Sequence, residues 1–381
     1  VSRVQLVLSV DSIHHPLTGI GRYTLELARQ LQARTDVQTL YMGAGRLFET
    51  LPACPEAAPA SRRWLERLPR PAIALGAYRR WVAARHAALL RGHEQRLLHG
   101  TNYYLPAFAG RSLVTIHDAS VLLHARSHRP DRVRHLREVV ARSLRQASLV
   151  LTVSEFSRRE IAEAWNYPEE RIQVTPLAAA TDFHPRDAAQ IAAELALLGL
   201  RPGAYCLYVG TIEPRKNLAT LLRAYAGLPL ELRRCYPLVL AGHADWPGDP
   251  VLARIQQAQA EGWLRYLGFV PARLLPLLQA GARLFAYPSR YEGFGLPILE
   301  AMASAVPVVC ADAASLPEVA GDAAAYAAPD DCDGWTALLA RGLDDAGWRA
   351  QAIERGRLRA ASFSWARCAA LTVAAYAAAQ R

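Results

Sequence analysis

The chain has 381 residues, 52% of them hydrophobic and 20% charged, with a formal net charge of +10. That balance excludes a disordered polypeptide, and the length exceeds one ordinary core, so two domains are expected. The longest apolar runs, such as "CLYVG" and "VPVVCA", are strand-sized and exclude a membrane-spanning helix.

In chain order, "VQLVLSV" reads as a first strand rather than a leader. A loop follows, and then the helical pattern "GRYTLELARQLQAR". The loop "DSIHHPLTGIGRYT" falls short of a dinucleotide fingerprint, because Thr24 stands at the third glycine position and the loop is too long. Two readings stay open for Gly19 and Gly21: an ordinary strand–helix turn, or a backbone brought close to a ligand. His14 and His15 read as surface residues of that loop. Residues 61–92 interleave eight arginines with Trp64, Tyr78 and Trp81. Such a segment either lies on an anionic membrane or packs on its own domain with its arginines outward.

"SLVTIH" and "SLVLTVS" read as later strands, the second followed by the helix "EFSRREIAEAW". Alternation of this kind gives βαβ units and a parallel sheet. His117 ends one of these strands, with Asp118 read as a loop stabiliser. His124, His128 and His135 show no metal-ligand spacing. The alanine-rich stretch 182–203 reads as an interdomain connection. Strands and helices then start again, through "YCLYVG", "NLATLLRAYAGL", "YPLVLAG", "VLARIQQAQAEG", "LRYLGFV", "LFAYPS", "PILEAMASA" and "PVVCAD". "FSWARCAALTVAAYAAAQ" reads as one closing helix. Ligands of open parallel sheets bind at the carboxyl ends of strands, so a site between two such domains is expected.

Charge and cysteine usage add location. Residues 1–180 carry 25 Arg against 15 acids, whereas residues 181–381 are balanced. The whole excess therefore lies in the first half, which points either to an anionic partner or to a solvated basic face. No nucleic-acid-binding signature accompanies it. Cys54, Cys206, Cys235, Cys310, Cys332 and Cys368 form no C-x-x-C pair and read as small apolar residues in a reducing compartment, the cytoplasm.

Two stretches carry chemistry. In "YPSRYEGFGLPILEAMASAVPVV", a strand leads into a Gly-x-Gly loop and a helix with Pro297 in its first turn. Glycines let backbone amides approach a ligand, and the helix N-terminus favours negative charge, so this is a phosphate cradle. Glu292 precedes the loop. Glu300 follows among apolar neighbours, where a carboxylate needs hydrogen-bond donors such as paired sugar hydroxyls. In "YVGTIEPRKNLATLL" stands the only lysine of the chain, Lys216, among 44 basic residues. A compact ammonium on a flexible stem meets phosphate as a point charge, where arginine offers a planar fork. Codon bias with chance survival is the alternative.

Glu292 and Glu300 in their Glu-x7-Glu spacing, within "EGFGLPILEAMASAVPVV", resemble the signature of family 4 glycosyltransferases of the GT-B fold. "VGTIEPRKNL", "HPLTGIGRYTLEL", "TIHDAS" and "LTVSEFSRREI" resemble further segments of that family, in the same order. The resemblance implies an α/β fold of two Rossmann-like parallel-sheet domains facing a cleft. An acceptor-binding domain would occupy 1–181, a connection 182–203, a nucleotide-sugar donor domain 204–360, and a closing helix 361–381 that packs back toward the first domain. It implies that Arg215 and Lys216 hold the donor diphosphate. Glu292, with the amides of Phe294, Gly295 and Leu296, would hold donor sugar and phosphates, and Glu300 the ribose. Gly268, Phe269 and Val270 would frame the base, His117 would stand beside the sugar, and Gly19 and Gly21 would meet the phosphates. Thr211 departs from the pattern, because several members have arginine there, and this shifts the diphosphate onto Arg215 and Lys216.

The wording of these segments is similar to bacterial mannosyl- and rhamnosyltransferases of surface-polysaccharide assembly. That implies retaining, same-face transfer from a GDP-sugar to a glycan on undecaprenyl diphosphate, at the cytoplasmic face of the inner membrane, with neither metal nor cofactor. A UDP- or dTDP-sugar donor, a sugar-nucleotide epimerase and a non-catalytic binding subunit remain the alternatives.

Overall fold

The computed structural model describes residues 3–14, 17–53, 71–124, 130–244 and 250–380. Two compact units emerge: Val1–Val153 with Ser157–Pro176 and Trp365–Arg381, and Leu177–Ser364 with Ser154–Phe156.

In the first unit, short β-branched runs build a seven-stranded sheet. Its strands are β1 (Val4–Ser9), β2 (Val37–Gly43), β3 (Arg46–Phe48), β4 (Leu97–Gly100), β5 (Ser112–Thr115), β6 (Leu149–Thr152) and β7 (Ile172–Val174). They lie in the order β3-β2-β1-β4-β5-β6-β7. Every pairing is parallel except β2 with the short edge strand β3. Strands β4 and β5 are buried throughout, as central strands covered on both faces must be. Val7, Met42, Leu98, Val114, Val150 and Ile161 form the core around them.

The second unit contains β8 (Cys206–Val209), β9 (Leu238–Ala241), β10 (Leu264–Gly268), β11 (Leu284–Tyr287), β12 (Val308–Ala311) and β13 (Ala324–Ala327), all parallel. Their order, β10-β9-β8-β11-β12-β13, is the 3-2-1-4-5-6 winding of a dinucleotide-binding sheet. The winding reverses between β8 and β11, and the loops that leave those two strands flank a crevice. That topological point positions the candidate site.

Both sheets are α/β, in agreement with the sequence reading. The helix expected from "EFSRREIAEAW" spans Glu155–Trp165. Residues 182–203, read above as a connection, instead contain a helix, Ala188–Leu197, inside the second unit. Its entry is held by the Asp187 amide donating to the Gln190 side chain, 3.3 Å. Ile191 and Leu195 are its buried residues, and the alanines around them conceal so narrow an apolar stripe. Of the basic segment 61–92, residues 61–70 lie outside the described residues, as does Cys54. Cys206, Cys310 and Cys368 are buried thiols, whereas Cys235 is exposed. Among the described residues, no helix is long and apolar enough to cross a membrane.

The helix Trp365–Gln380 belongs to the first unit. There Tyr376 Oη meets His99 Nδ1 at 2.7 Å, His99 Nε2 meets Thr115 Oγ1 at 2.8 Å, and Thr115 Oγ1 meets Tyr23 Oη at 2.9 Å. All four side chains are buried, and burial pushes His99 down to about 3, so its ring is neutral. Tyr376→Phe leaves a buried ring nitrogen without its partner, at an expected cost of about 1–3 kcal/mol. Urea unfolding checks this: the midpoint should fall with an unchanged slope.

Candidate functional site

The loop after β8 begins at Gly210 and Thr211 and tightens into a 3-10 turn over Pro214–Lys216. Asn217 closes that turn in the left-handed region, φ 57°, before helix Leu218–Ala226. Asparagine tolerates this conformation, and its side chain is used as well: Nδ2 donates to the carbonyls of Pro288 and Pro329, at 3.2 and 2.7 Å. Pro288 begins the loop after β11, so one side chain stitches the two loops together. The Arg290 amide donates to the Arg215 carbonyl at 2.9 Å, and Arg215 Nη1 donates to the Tyr291 carbonyl at 2.8 Å. The Ser315 hydroxyl pins the Glu292 carbonyl at 2.8 Å.

Inside this frame the charged groups meet. Lys216 and Glu292 are only 6% and 8% exposed, and Lys216 Nζ donates to Glu292 Oε1. Tyr287, the last residue of β11, completes a triangle. Its hydroxyl accepts from Lys216 Nζ at 3.2 Å and donates to the same Glu292 oxygen at 2.7 Å. Arg215 Nη1 lies 3.5 Å from Glu292 Oε2, and its Nε lies 2.7 Å from Glu213 Oε1. Burial alone would raise the Glu292 carboxyl. The charges of Lys216 and Arg215, with hydrogen bonds from Lys216 and Tyr287, outweigh burial and hold it well below the ordinary carboxylate range. Burial lowers the Lys216 ammonium, and the Glu292 charge opposes that shift.

The other residues of the second unit extend from here. Gly295 sits at φ 102°, in the left-handed region, as the cap of helix Leu296–Ala303. A Cβ there would lie 2.7 Å from Leu316 Cδ2, a side-chain end that can shift, so it is the positive φ that favours glycine. Phe294 is buried edge-on against Phe363, their centroids 5.8 Å apart, and Leu296 starts the helix. Glu300 lies further along that helix, 7% exposed. Thr211 is tied by its carbonyl, which accepts from Tyr208 Oη at 3.2 Å. Gly268, Phe269 and Val270 are placed elsewhere, at the end of β10, two strands from β8. Phe269 is half-exposed there and Val270 buried. The structure thus gathers Arg215, Lys216 and Glu292 into direct contact. It adds Tyr287, Glu213 and Asn217, which sequence reading missed. The strand pattern placed Tyr287 only at a strand end, with no signal for what its hydroxyl meets.

In the first unit, Gly19 and Gly21 begin helix Gly19–Gln32, capped by Thr18 Oγ1, which accepts from the Gly21 amide at 3.3 Å. A Cβ on Gly21 would lie 2.7 Å from the Ser12 carbonyl oxygen, whereas one on Gly19 would meet nothing within 4 Å. Gly21 therefore serves close packing, and Gly19 leaves space beside the helix start. His117 follows β5. Its Nε2 lies 3.0 Å from the Thr101 carbonyl, which can only accept, so Nε2 carries the proton and Nδ1 is the acceptor. Burial lowers its pKa, against smaller opposing effects from Thr101 and Asp118, and the ring stands edge-on to Tyr23 at 4.9 Å. Asp118 Oδ1 accepts from the Ser120 amide at 2.9 Å, a local loop brace. His14 is exposed, and His15 and His128 lie outside the described residues.

Comparison with known proteins finds two family models along the chain. Residues 17–183 match "Glycosyltransferase Family 4", and residues 201–359 match "Glycosyl transferases group 1". O-antigen chain mannosyltransferase B of Escherichia coli is 42% identical over 378 residues, covering 98% of this chain and 99% of that protein. Among solved structures, a sucrose-phosphate synthase from Thermosynechococcus elongatus aligns with TM-score 0.71 at 21% identity, covering 99% of each chain. Anabaena HepE, solved with UDP and glucose, aligns with TM-score 0.73 at 17% identity, over 99% of this chain and 100% of that one. At such identities these two structures speak to the fold.

Glu292→Gln removes the counter-charge and leaves Lys216 buried, at an expected cost of about 3–5 kcal/mol near neutral pH. The pH dependence has a definite sign. A carboxyl depressed in the folded state stabilises above its unfolded value, about 4.5, and that contribution fades as pH falls through the folded value. Melting temperature should therefore drop more steeply below pH 4.5 in the wild type than in Glu292→Gln. Equal acid slopes would show that the pair is not ionised.

Proposed function

The chain belongs to the family 4, group 1 glycosyltransferases of the GT-B fold, and we propose that it transfers mannose from GDP-mannose to a growing O-antigen-type glycan. The observation that carries this reading is the meeting of Lys216, Arg215 and Glu292 at the switch point of the second sheet. As the glycosidic bond to the diphosphate breaks, negative charge collects on the leaving phosphate. Two fixed cations and the N-terminus of helix Leu296–Ala303 stabilise that charge with little reorganisation. In this reading they fill the role that a metal ion takes in other transferases. Glu300 takes the ribose hydroxyls, and the Gly268–Val270 loop borders the base. In the first unit, the acceptor nitrogen of His117 is assigned to a hydroxyl of the donor sugar, and the open side of Gly19 to phosphate.

Retention follows a same-face course. Glu292 is a poor nucleophile, because one of its oxygens is already held by Lys216 and Tyr287. Departure of the diphosphate and attack by the acceptor hydroxyl then occur on one face, with the leaving phosphate taking the hydroxyl proton. The mannose assignment is supported by the 42% identity to a mannosyltransferase over nearly the whole of both chains. A lipid-diphosphate acceptor at an anionic membrane surface is supported by the arginine excess of residues 1–180. On helix Pro71–Leu89, Trp81 is 58% exposed, with Tyr78 stacked on it and Arg85 over its ring.

A thermal-shift titration with GDP, UDP, ADP and dTDP tests the donor. A ligand of the folded state at a hundred times its Kd adds about 2.7 kcal/mol of stability. GDP is expected to raise the melting temperature most. A UDP-selective shift would keep the transferase and replace the donor, and no shift with any of the four would remove the site. Lys216→Ala should lower kcat by about 100-fold while remaining folded. Lys216→Arg is expected to fall well short of wild type, since a planar fork does not reproduce the point-charge contacts that Nζ makes with Tyr287 and Glu292. Full activity would make the single lysine an accident of codon use.

A further inference from the structure

Arg215 already holds a carboxylate. Its Nε lies 2.7 Å from Glu213 Oε1, with the two side chains 16% and 15% exposed. Lys216 and Arg215 together face Glu292 and Glu213, so two cations meet two carboxylates and the cluster is electrically balanced before any ligand arrives. A diphosphate entering a balanced cluster gains little net attraction unless one carboxylate yields.

The two carboxylates are not held alike. Glu292 is gripped by Lys216 and Tyr287, lies near Arg215 as well, and has its backbone carbonyl pinned by Ser315. The Glu213 side chain pairs with Arg215, from ordinary extended backbone at φ −151° and ψ 156°, and is 15% exposed against 10% for Glu292. Release into water costs a carboxylate little, because its charged form is best solvated there. Arg215 keeps its hold on the Tyr291 carbonyl through Nη1, so the guanidinium stays in place when Glu213 leaves.

We propose that Glu213 is a resident surrogate for the donor's phosphate. It occupies Arg215 in the empty protein, gives way to the diphosphate when the nucleotide sugar binds, and returns to Arg215 as the nucleoside diphosphate leaves. The exchange makes and breaks no covalent bond. It tunes the site toward turnover: the free cradle is not a bare cationic trap for any passing phosphate, and product departure is assisted by an internal competitor. This inference rests on the reading of Arg215 and Lys216 as the diphosphate cradle.

Calorimetric titration of GDP into wild type, Glu213→Gln, Arg215→Ala and the double variant tests it. Glu213→Gln is expected to bind GDP about ten-fold more tightly, or about 1.4 kcal/mol. Its donor KM should fall, and inhibition by GDP should strengthen. Glu213→Ala should act in the same direction, and tighter binding cannot arise from a loosened fold. In the Arg215→Ala background the same substitution should leave GDP affinity within about two-fold, because the competitor's target is gone. Wild-type binding with no tightening in Glu213→Gln and Glu213→Ala would overturn the exchange. Equal tightening in both backgrounds would overturn it too, since that is bulk charge rather than competition. A wild type that binds none of GDP, UDP, ADP and dTDP would instead overturn the cradle reading, and this inference with it.

Discussion

Burying a lysine is costly, and the second unit is arranged around making it tolerable. Lys216 has a carboxylate and a phenol as immediate partners, and each of these is fixed from a different direction. Glu292 comes from the loop after β11, Tyr287 from the end of that strand, and Lys216 from the turn after β8. None of the three keeps its geometry if the two loops drift apart. Asn217, Arg215 and the backbone of Arg290 hold them together by hydrogen bonds that involve no ionisable pair. The ionic cluster and the loop stitching therefore depend on each other: the cluster needs fixed loops, and the loops gain a reason to stay closed.

The parallel sheet supplies the meeting place. Strands β8 and β11 are neighbours in space but 78 residues apart at their first residues, Cys206 and Leu284, which are paired in register. Helices from β8 run to one side of the sheet order and those from β11 to the other, so their loops diverge and leave a crevice between them. A cation on one loop and an anion on the other close that crevice electrostatically while leaving the helix N-terminus of Leu296–Ala303 beside it.

Much of this was legible in the residues, and the reasons are specific. "EFSRREIAEAW" and "LFAYPS" carry strong periods and clear stops, so their elements could be read almost to the residue. Lys216 stood out by being single, and Glu292 and Gly295 by their place after a strand and before a proline-started helix. Tyr287 and Glu213 were illegible for another reason. An aromatic at a strand end and an acid in a loop are both ordinary, and only their partners, 71 and 2 residues away, give them a role. Edge strands β3 and β7, three residues each, are too short to announce themselves by alternation. Helix Ala188–Leu197 was lost among alanines, which satisfy a helix without marking a face.

The bond between His99 and Tyr376 joins residues 277 positions apart, and it sits inside the first unit. During synthesis the sheet that contains His99 emerges ahead of the second unit, yet its buried ring nitrogen Nδ1 has no partner until helix Trp365–Gln380 leaves the ribosome. Residues Leu177–Ser364 form a stretch of the second unit that is translated in between, and that stretch can condense while the first waits. The first unit is thus begun before the second and completed after it. Until then its apolar seam, the one that Cys368, Ala369, Thr372 and Tyr376 will cover, is open to whatever the nascent chain encounters.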